Sequence, residues 1–255
     1  MESKFEKFKK LHTANDLFIL PNAWTPGSAI LLEQCNYPAV GTSSSAVAAS
    51  LGYSDGEGMP FEDYLFVIKR IAASVSIPVT IDMEMGYGKT DAAIYDNLRR
   101  LVEAGVVGIN IEDSTLSNGK RVLKPADRFA ETVAFLKDKL VNAGQALFIN
   151  VRCDTFIAEN MAGETFARLK LYEAAGADGI FLPFISKKED ITQAVAGTKL
   201  PLNVMCIHGL PEISELSKLG VKRVSMGPFL HNKTYSAAKE LAKSVLDQRS
   251  LKSIL

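Results

Sequence analysis

Eight short apolar runs rich in β-branched residues, alternating along 255 residues with segments of helical period, predict an α/β protein of the (β/α)8 TIM-barrel type. The runs also read as nearly continuous in apolar character, as parallel strands do when both faces are covered. They fall at residues 17–21, 39–42, 79–82, 108–112, 147–152, 179–182, 202–206 and 223–226. Residues 61–75, 91–104, 126–143, 164–175 and 235–246 carry apolar side chains three or four apart with charges between them, the mark of amphipathic helices. Glu103-Ala104-Gly105-Val106, Ala174-Ala175-Gly176-Ala177 and Lys218-Leu219-Gly220-Val221 each end a helix with a glycine suited to the left-handed turn before the next strand. Five or six such units would suggest an open doubly wound sheet, whereas eight close a barrel. Barrels commonly reach about 250 residues as one unit, so residues 1–255 read as one domain. The longest stretch between units, residues 43–60, leaves a strand at its carboxyl end.

Lysine plus arginine equals aspartate plus glutamate at 29 each, so no net field draws the chain to nucleic acid or an anionic membrane, and a small molecule is the expected partner. Cys35, Cys153 and Cys206 are odd in number and widely spaced, which indicates reduced thiols and a cytoplasmic setting. Residues 1–10 are charged and amphipathic without the apolar core of a signal peptide, and no apolar run reaches the roughly 18 to 20 residues of a membrane span. No GxGxxG follows a strand and no Walker A lysine is present, which removes the usual support for nicotinamide or nucleoside triphosphate chemistry.

In this fold the chemistry sits where strands end at their carboxyl side. Asp82 and Glu84 close the third run and Glu112 the fourth, so strands about 4.8 Å apart aim three carboxylates into one space. Such a cluster suits a hard cation, Mg2+ or Mn2+, that leaves positions open to a substrate oxygen. The bland role for each acid is to cap a helix at a βα turn. Arg152 offers a planar fork to a carboxylate or phosphonate, and equally an internal ion pair with Asp154 or Glu112. Gly86-Tyr87-Gly88 lets the backbone turn tightly beside the acids, and the hydroxyls and amides of residues 42–45 suit an anion or simply a turn. His208, Cys153 and Cys206 are candidates for an acid or nucleophile as well as for structural roles, and Trp24 and Phe184 belong to the pocket or to the core.

These residues in this order resemble the isocitrate lyase and phosphoenolpyruvate mutase superfamily over residues 17–228. The resemblance rests on Pro21-Asn22-Ala23-Trp24, on the block from Thr42 to Asp55 containing Ser-Leu-Gly-Tyr-Ser-Asp, on Asp82-x-Glu84-x-Gly86-Tyr87-Gly88, on Ala104-Gly105 with Ile111-Glu112-Asp113, and on Arg152-x-Asp154. It implies that Asp82 ligates magnesium, that Asp55, Glu84 and Glu112 hold its waters, and that Ser43, Ser44 and Arg152, with Thr42 and Trp24 beside them, grip a small anionic α-keto acid or phosphonate. Glu84 departs from the usual aspartate by one methylene. After Glu112-Asp113, lyases of the family carry a lysine-lysine-cysteine-glycine-histidine gate; this chain has Ser114-Thr115-Leu116-Ser117-Asn118-Gly119-Lys120-Arg121. The gate cysteine is therefore missing, and Asn118 and Lys120 are the polar groups left in its place. The family also implies a homo-oligomer, and the short chain after Leu246 suggests a reduced or absent exchange of C-terminal helices between subunits.

The expected activity is a magnesium-dependent cleavage or rearrangement of a C–C or P–C bond beside a carbonyl, through a pyruvate enolate. Rival readings are an oxaloacetate-type decarboxylase, a malate-like lyase that takes its acid from Tyr87, His208 or Lys120, and a silent barrel that binds an anion and metal without turnover.

Overall fold

The computed structural model describes residues 2–158 and 161–255. A helix, α1 (Lys4–Thr13), precedes the sheet. The chain then runs β1 (Phe18–Leu20), β2 (Asn22–Ala23), α2 (Pro26–Gln34), β3 (Val40–Thr42), α3 (Ser44–Leu51), α4 (Phe61–Ser74), β4 (Val79–Asp82), α5 (Asp91–Glu103) and β5 (Gly108–Glu112). A hairpin of β6 (Ser114–Ser117) and β7 (Lys120–Leu123) follows, then α6 (Ala126–Asn142), β8 (Phe148–Arg152), α7 (Thr165–Ala174), β9 (Gly179–Leu182), α8 (Lys188–Gly197), β10 (Leu202–Met205), α9 (Ile213–Lys218), β11 (Arg223–Ser225) and α10 (Phe229–Gln248).

The main sheet has nine parallel strands in the order β1-β11-β10-β9-β8-β5-β4-β3-β2. Its two ends are halves of one barrel strand split at Pro21: β1 pairs with β11 and β2 with β3. Pro21 has no N–H to give, yet its carbonyl accepts from Gly41 N at 2.8 Å, so the break passes the chain from one neighbour to the other. The (β/α)8 barrel is thereby closed, and the short first run is a barrel strand.

Strand residues alternate between two environments. Val79, Ile81, Ile109, Ile111, Ile149, Val151, Ile180, Leu182, Val204 and Val224 join the main apolar core under the surrounding helices. The alternate positions face the lumen and are largely polar: Asn150 Nδ2 donates to Asn110 Oδ1 at 2.8 Å, and Arg223 Nη2 donates to the same oxygen at 2.9 Å. The runs are thus not continuously apolar; β4, β5, β8 and β11 show a period-2 pattern whose inward set is largely polar, while β9 turns Gly179 and Phe181 inward. Asp82, Glu112 and Arg152 continue that inward set to the carboxyl end of their strands.

Helix α1 closes the opposite end. Its Phe8 packs with Phe18, Leu20, Ala39, Val107 and Phe148 at the amino ends of the strands, and His12 stacks on Phe148 with ring centroids 4.2 Å apart. At the other terminus α10 runs well beyond the segment 235–246 marked by periodicity, and its one buried residue is His231. More helix follows the last strand than the sequence pattern indicates.

Candidate active site

A cavity of about 280 Å³ opens at the carboxyl ends of the strands. Asp82, the last residue of β4, lines it together with Asp55, Ser43, Ser44, Arg121 and Arg152. Ser43 ends the β3 segment as N-cap of α3, its Oγ accepting from Ala46 N at 3.3 Å, so the start of α3 points at the cavity. Residues 44–51 are therefore a helix inside what reads from sequence as an insertion. Ser44 Oγ donates to Asp82 Oδ2 at 2.8 Å, with Asp55 Oδ1 at 3.3 Å. Thr42 Oγ1 accepts from Asp82 N at 3.2 Å and lies 3.1 Å from Tyr64 Oη, which fixes the strand end from behind.

Two arginines organise the opposite wall. Arg152 Nη1 lies 2.9 Å from Glu112 Oε2, and its Nε and Nη2 donate to Asp154 at 2.6 and 3.2 Å. Arg121, on β7, pairs with the other oxygen of Glu112 and approaches Ser114 Oγ at 3.0 Å and Asp154 Oδ2 at 3.3 Å. Glu112 and Asp154 are both fully buried, and each is neutralised by the same two guanidiniums. Burial raises the Glu112 carboxyl above the usual range, with Arg152 opposing it.

Asp82 fits a cation. Its Oδ1 is shielded from solvent and accepts no hydrogen bond from the described residues, and burial raises its carboxyl against the pull of Arg152 and Ser44. Among the described residues no three of His, Cys, Asp and Glu converge as a preformed ligand set. One carboxylate oxygen, with further oxygens reached through water, is how magnesium is commonly held, and no histidine or cysteine is among the described residues lining the cavity, where a zinc-type site would want them.

The other expected metal acids are placed differently. Glu84 sits in a turn at φ 50°, and both its oxygens are engaged, Oε1 by Tyr87 Oη at 2.7 Å and Oε2 by Glu57 N at 2.7 Å. Burial first, and the neighbouring acids after it, push its carboxyl up to about 8. Neither Glu84 nor Glu112 lines the cavity; they form the layer behind Asp82 and Arg152.

Of the expected acid–base groups, Tyr87 is turned away from the cavity, its ring stacked on Tyr64 with centroids 5.4 Å apart. His208 is exposed in the loop after β10 and does not line the cavity. Lys120 lines a neighbouring cavity and Arg121 the central one. The reason is strand alternation: Asn118 and Gly119, at φ 50° and 75°, make the tight hairpin turn, and β7 then sends residue 121 inward and residue 120 outward. Trp24 is buried against His231, centroids 5.1 Å apart, beside a separate apolar groove, because the Thr25–Ser28 capping box directs α2 outward at this point. Cys153 is buried with its thiol raised by burial, and Cys206 is exposed outside the cavity. Phe184 lines the cavity, and Arg121 and Phe229 beside it are site features that the strand-end pattern does not single out.

A split-strand barrel with a carboxylate–arginine cavity at its carboxyl end matches one family over nearly its whole length. The phosphoenolpyruvate phosphomutase family model covers residues 8–246, and the chain belongs to that family, within the phosphoenolpyruvate mutase and isocitrate lyase superfamily of lyases and mutases. An uncharacterized protein of Mycobacterium tuberculosis is 32% identical over 96% of this chain and 90% of its own. The crystal structure of a candidate phosphonomutase from Burkholderia cenocepacia superposes with a TM-score of 0.89 at 35% identity, covering 95% of this chain and 100% of that one. An oxaloacetate decarboxylase of Bradyrhizobium is 28% identical over 71% of this chain and 62% of its own.

Proposed function

We propose that the protein is a magnesium-dependent enzyme that cleaves or rearranges a C–C or P–C bond next to the carbonyl of a small anionic α-keto acid, by way of a pyruvate-type enolate. Within that class, loss of carbon dioxide from an oxaloacetate-like acid is the form the site favours. The observation that carries the reading is Asp82, whose shielded, unpartnered Oδ1 shares one cavity with Arg152 and the start of α3.

Asp82 would hold magnesium or manganese, with Asp55 toward its waters, and the ion would polarise the substrate carbonyl as a Lewis acid. The chain's own residues do the rest. The start of α3, with Ser43 and Ser44, receives one anionic end of the substrate. Arg152, held in plane by Asp154 and Glu112, fixes a carboxylate so that the scissile bond stands across the carbonyl plane. That bond breaks, its electron pair passes into the carbonyl, carbon dioxide departs, and the enolate takes a proton at carbon from water at the open mouth. No cysteine, histidine, lysine or tyrosine is among the described side chains lining the cavity. A decarboxylation needs none of them, whereas a malate-like lyase must find a group to take the hydroxyl proton.

The protein acts in the cytoplasm as a homo-oligomer in this reading. Among the described residues no helix is long and apolar enough to cross a membrane, and α10 carries exposed Tyr235, Leu241 and Leu246, which a second subunit would cover. The test of the activity is pyruvate release from oxaloacetate, phosphonopyruvate, 2-methylisocitrate and dimethylmalate, with magnesium and with chelator, for wild type and Asp82→Ala. Release that needs both magnesium and Asp82 is expected from oxaloacetate first. Release that survives chelation and Asp82→Ala would refute the reading.

A further inference from the structure

The central cavity has two unlike halves. Besides Asp82 and the arginines it is lined by an apolar set: Ile157, Phe181 in register beside Arg152, Phe184 after β9, Met205 at the end of β10 and Phe229 at the start of α10. Two of these are large aromatic side chains left open to solvent, Phe184 at 51% exposure and Phe229 at 40%. Phe184 is also the one residue of its loop held at positive φ, 63°, a conformation that bulky side chains rarely adopt. Backbone strain that leaves an aromatic ring in water at a cavity mouth has no packing return within the chain, and strained residues of this kind collect at ligand-binding positions.

A ligand as small as pyruvate that engages Asp82 and Arg152 lies against the polar half and leaves these side chains in water. We infer that the substrate carries an apolar substituent, branched alkyl or aryl, on the carbon next to its 2-oxo acid group, and that Phe184 and Phe229 select for it. The inference rests on the α-keto acid reading of the same cavity and names the substrate class within it. An apolar group placed there removes its own surface and that of two aromatic rings from water, and each added methylene in such a pocket is worth about tenfold or more in selectivity.

The test is calorimetric binding of a graded series of 2-oxo acids to the magnesium-loaded protein: pyruvate, 2-oxobutanoate, 3-methyl-2-oxobutanoate and phenylpyruvate, with oxalate as the unsubstituted reference. Kd is expected to fall at least tenfold from pyruvate to the branched or aromatic acids. Phe184→Ser, at a half-exposed position where the fold loses little packing, is expected to weaken the larger acids about tenfold more than pyruvate, and Phe184→Leu to restore part of the difference. Equal affinity along the series, or a Phe184→Ser variant that weakens every acid alike, overturns the inference while oxalate binding persists. A change of oligomeric state in Phe184→Ser with the selectivity intact overturns it as well, since the ring then serves a subunit contact. Loss of oxalate binding together with all the 2-oxo acids removes the α-keto acid reading itself, and the substituent with it.

Discussion

Arg121 of the β6–β7 hairpin forms an ion pair with Glu112, a carboxylate that is wholly buried and already faces Arg152 on its other oxygen. The hairpin therefore reaches into the site with a cation. Arg121→Gln leaves Glu112 to Arg152 alone and removes one guanidinium from the anion cavity. Oxaloacetate turnover is expected to fall about 10- to 100-fold in kcat/KM, with Arg121→Lys recovering only part because an ammonium cannot copy the planar fork. Steady-state kinetics on the three proteins checks this, and an unchanged kcat/KM in Arg121→Gln would exclude Arg121 from the site.

Asp113 ties the fold to the site. Its Oδ2 accepts from Tyr172 Oη at 2.7 Å and from Arg168 Nη1 at 3.2 Å, while Oδ1 accepts from Asp154 N at 2.8 Å. Asp113→Asn turns one acceptor into a donor facing donors and leaves the buried Arg168 with Glu164 as its remaining carboxylate partner. Stability is expected to drop by about 3 kcal/mol or more, read from denaturant unfolding. Because Asp154 orients Arg152, KM for the keto acid is expected to rise as well.

His12 predicts an acid sensitivity unrelated to the active site. Burial first, with Arg223 adding to it, lowers its imidazole from 6.5 to about 3. A base with a depressed folded-state pKa binds protons in the unfolded chain before it does in the native one. Above 6.5 both states are neutral and nothing is lost. Below it, stability falls by up to about 1.4 kcal/mol per pH unit until the folded-state pKa is reached. His12→Phe keeps the stack on Phe148 and is expected to flatten the fall in melting temperature between pH 6.5 and 4; equal slopes in the two proteins would assign the acid loss elsewhere.

Arg223 is buried in the lumen, and among the described residues no carboxylate pairs with it and its Nε and Nη1 find no acceptor. Burial pushes its guanidinium down to about 9. A similarly long apolar side chain avoids that desolvation, so Arg223→Met is expected to match or exceed wild-type stability by up to about 2 kcal/mol. A loss of several kcal/mol on denaturant unfolding would show that the arginine contributes through contacts beyond Asn110.

The barrel and the centre of the site are legible in the sequence for one reason: spacing sets both. Eight runs at regular intervals count the strands, and carboxylate or arginine at the end of a run places Asp82 and Arg152 at the same end of the barrel. What is not legible depends on residues distant in sequence. Glu84 reads as a metal acid until Glu57 and Tyr87, which the fold brings to it, take both of its oxygens. Trp24 reads as a pocket residue, but its ring is fixed by His231 from the last helix. The choice between Lys120 and Arg121 was available in principle, because Asn118-Gly119 is a strong hairpin signal and a two-residue turn sets which side chain of β7 points inward. The polar lumen was available too, in Ile109-Asn110-Ile111-Glu112 and Ile149-Asn150-Val151-Arg152, whose alternation is hidden when each run is read only for its apolar content.

The most direct measurement is calorimetric titration of oxalate into the protein with magnesium and with chelator, for wild type and Asp82→Asn, a substitution that keeps shape and removes the charge. Wild type is expected to bind oxalate, with binding that disappears with chelator and weakens at least about 100-fold in Asp82→Asn. Oxalate binding of equal strength with and without magnesium, or unchanged in Asp82→Asn, would contradict it.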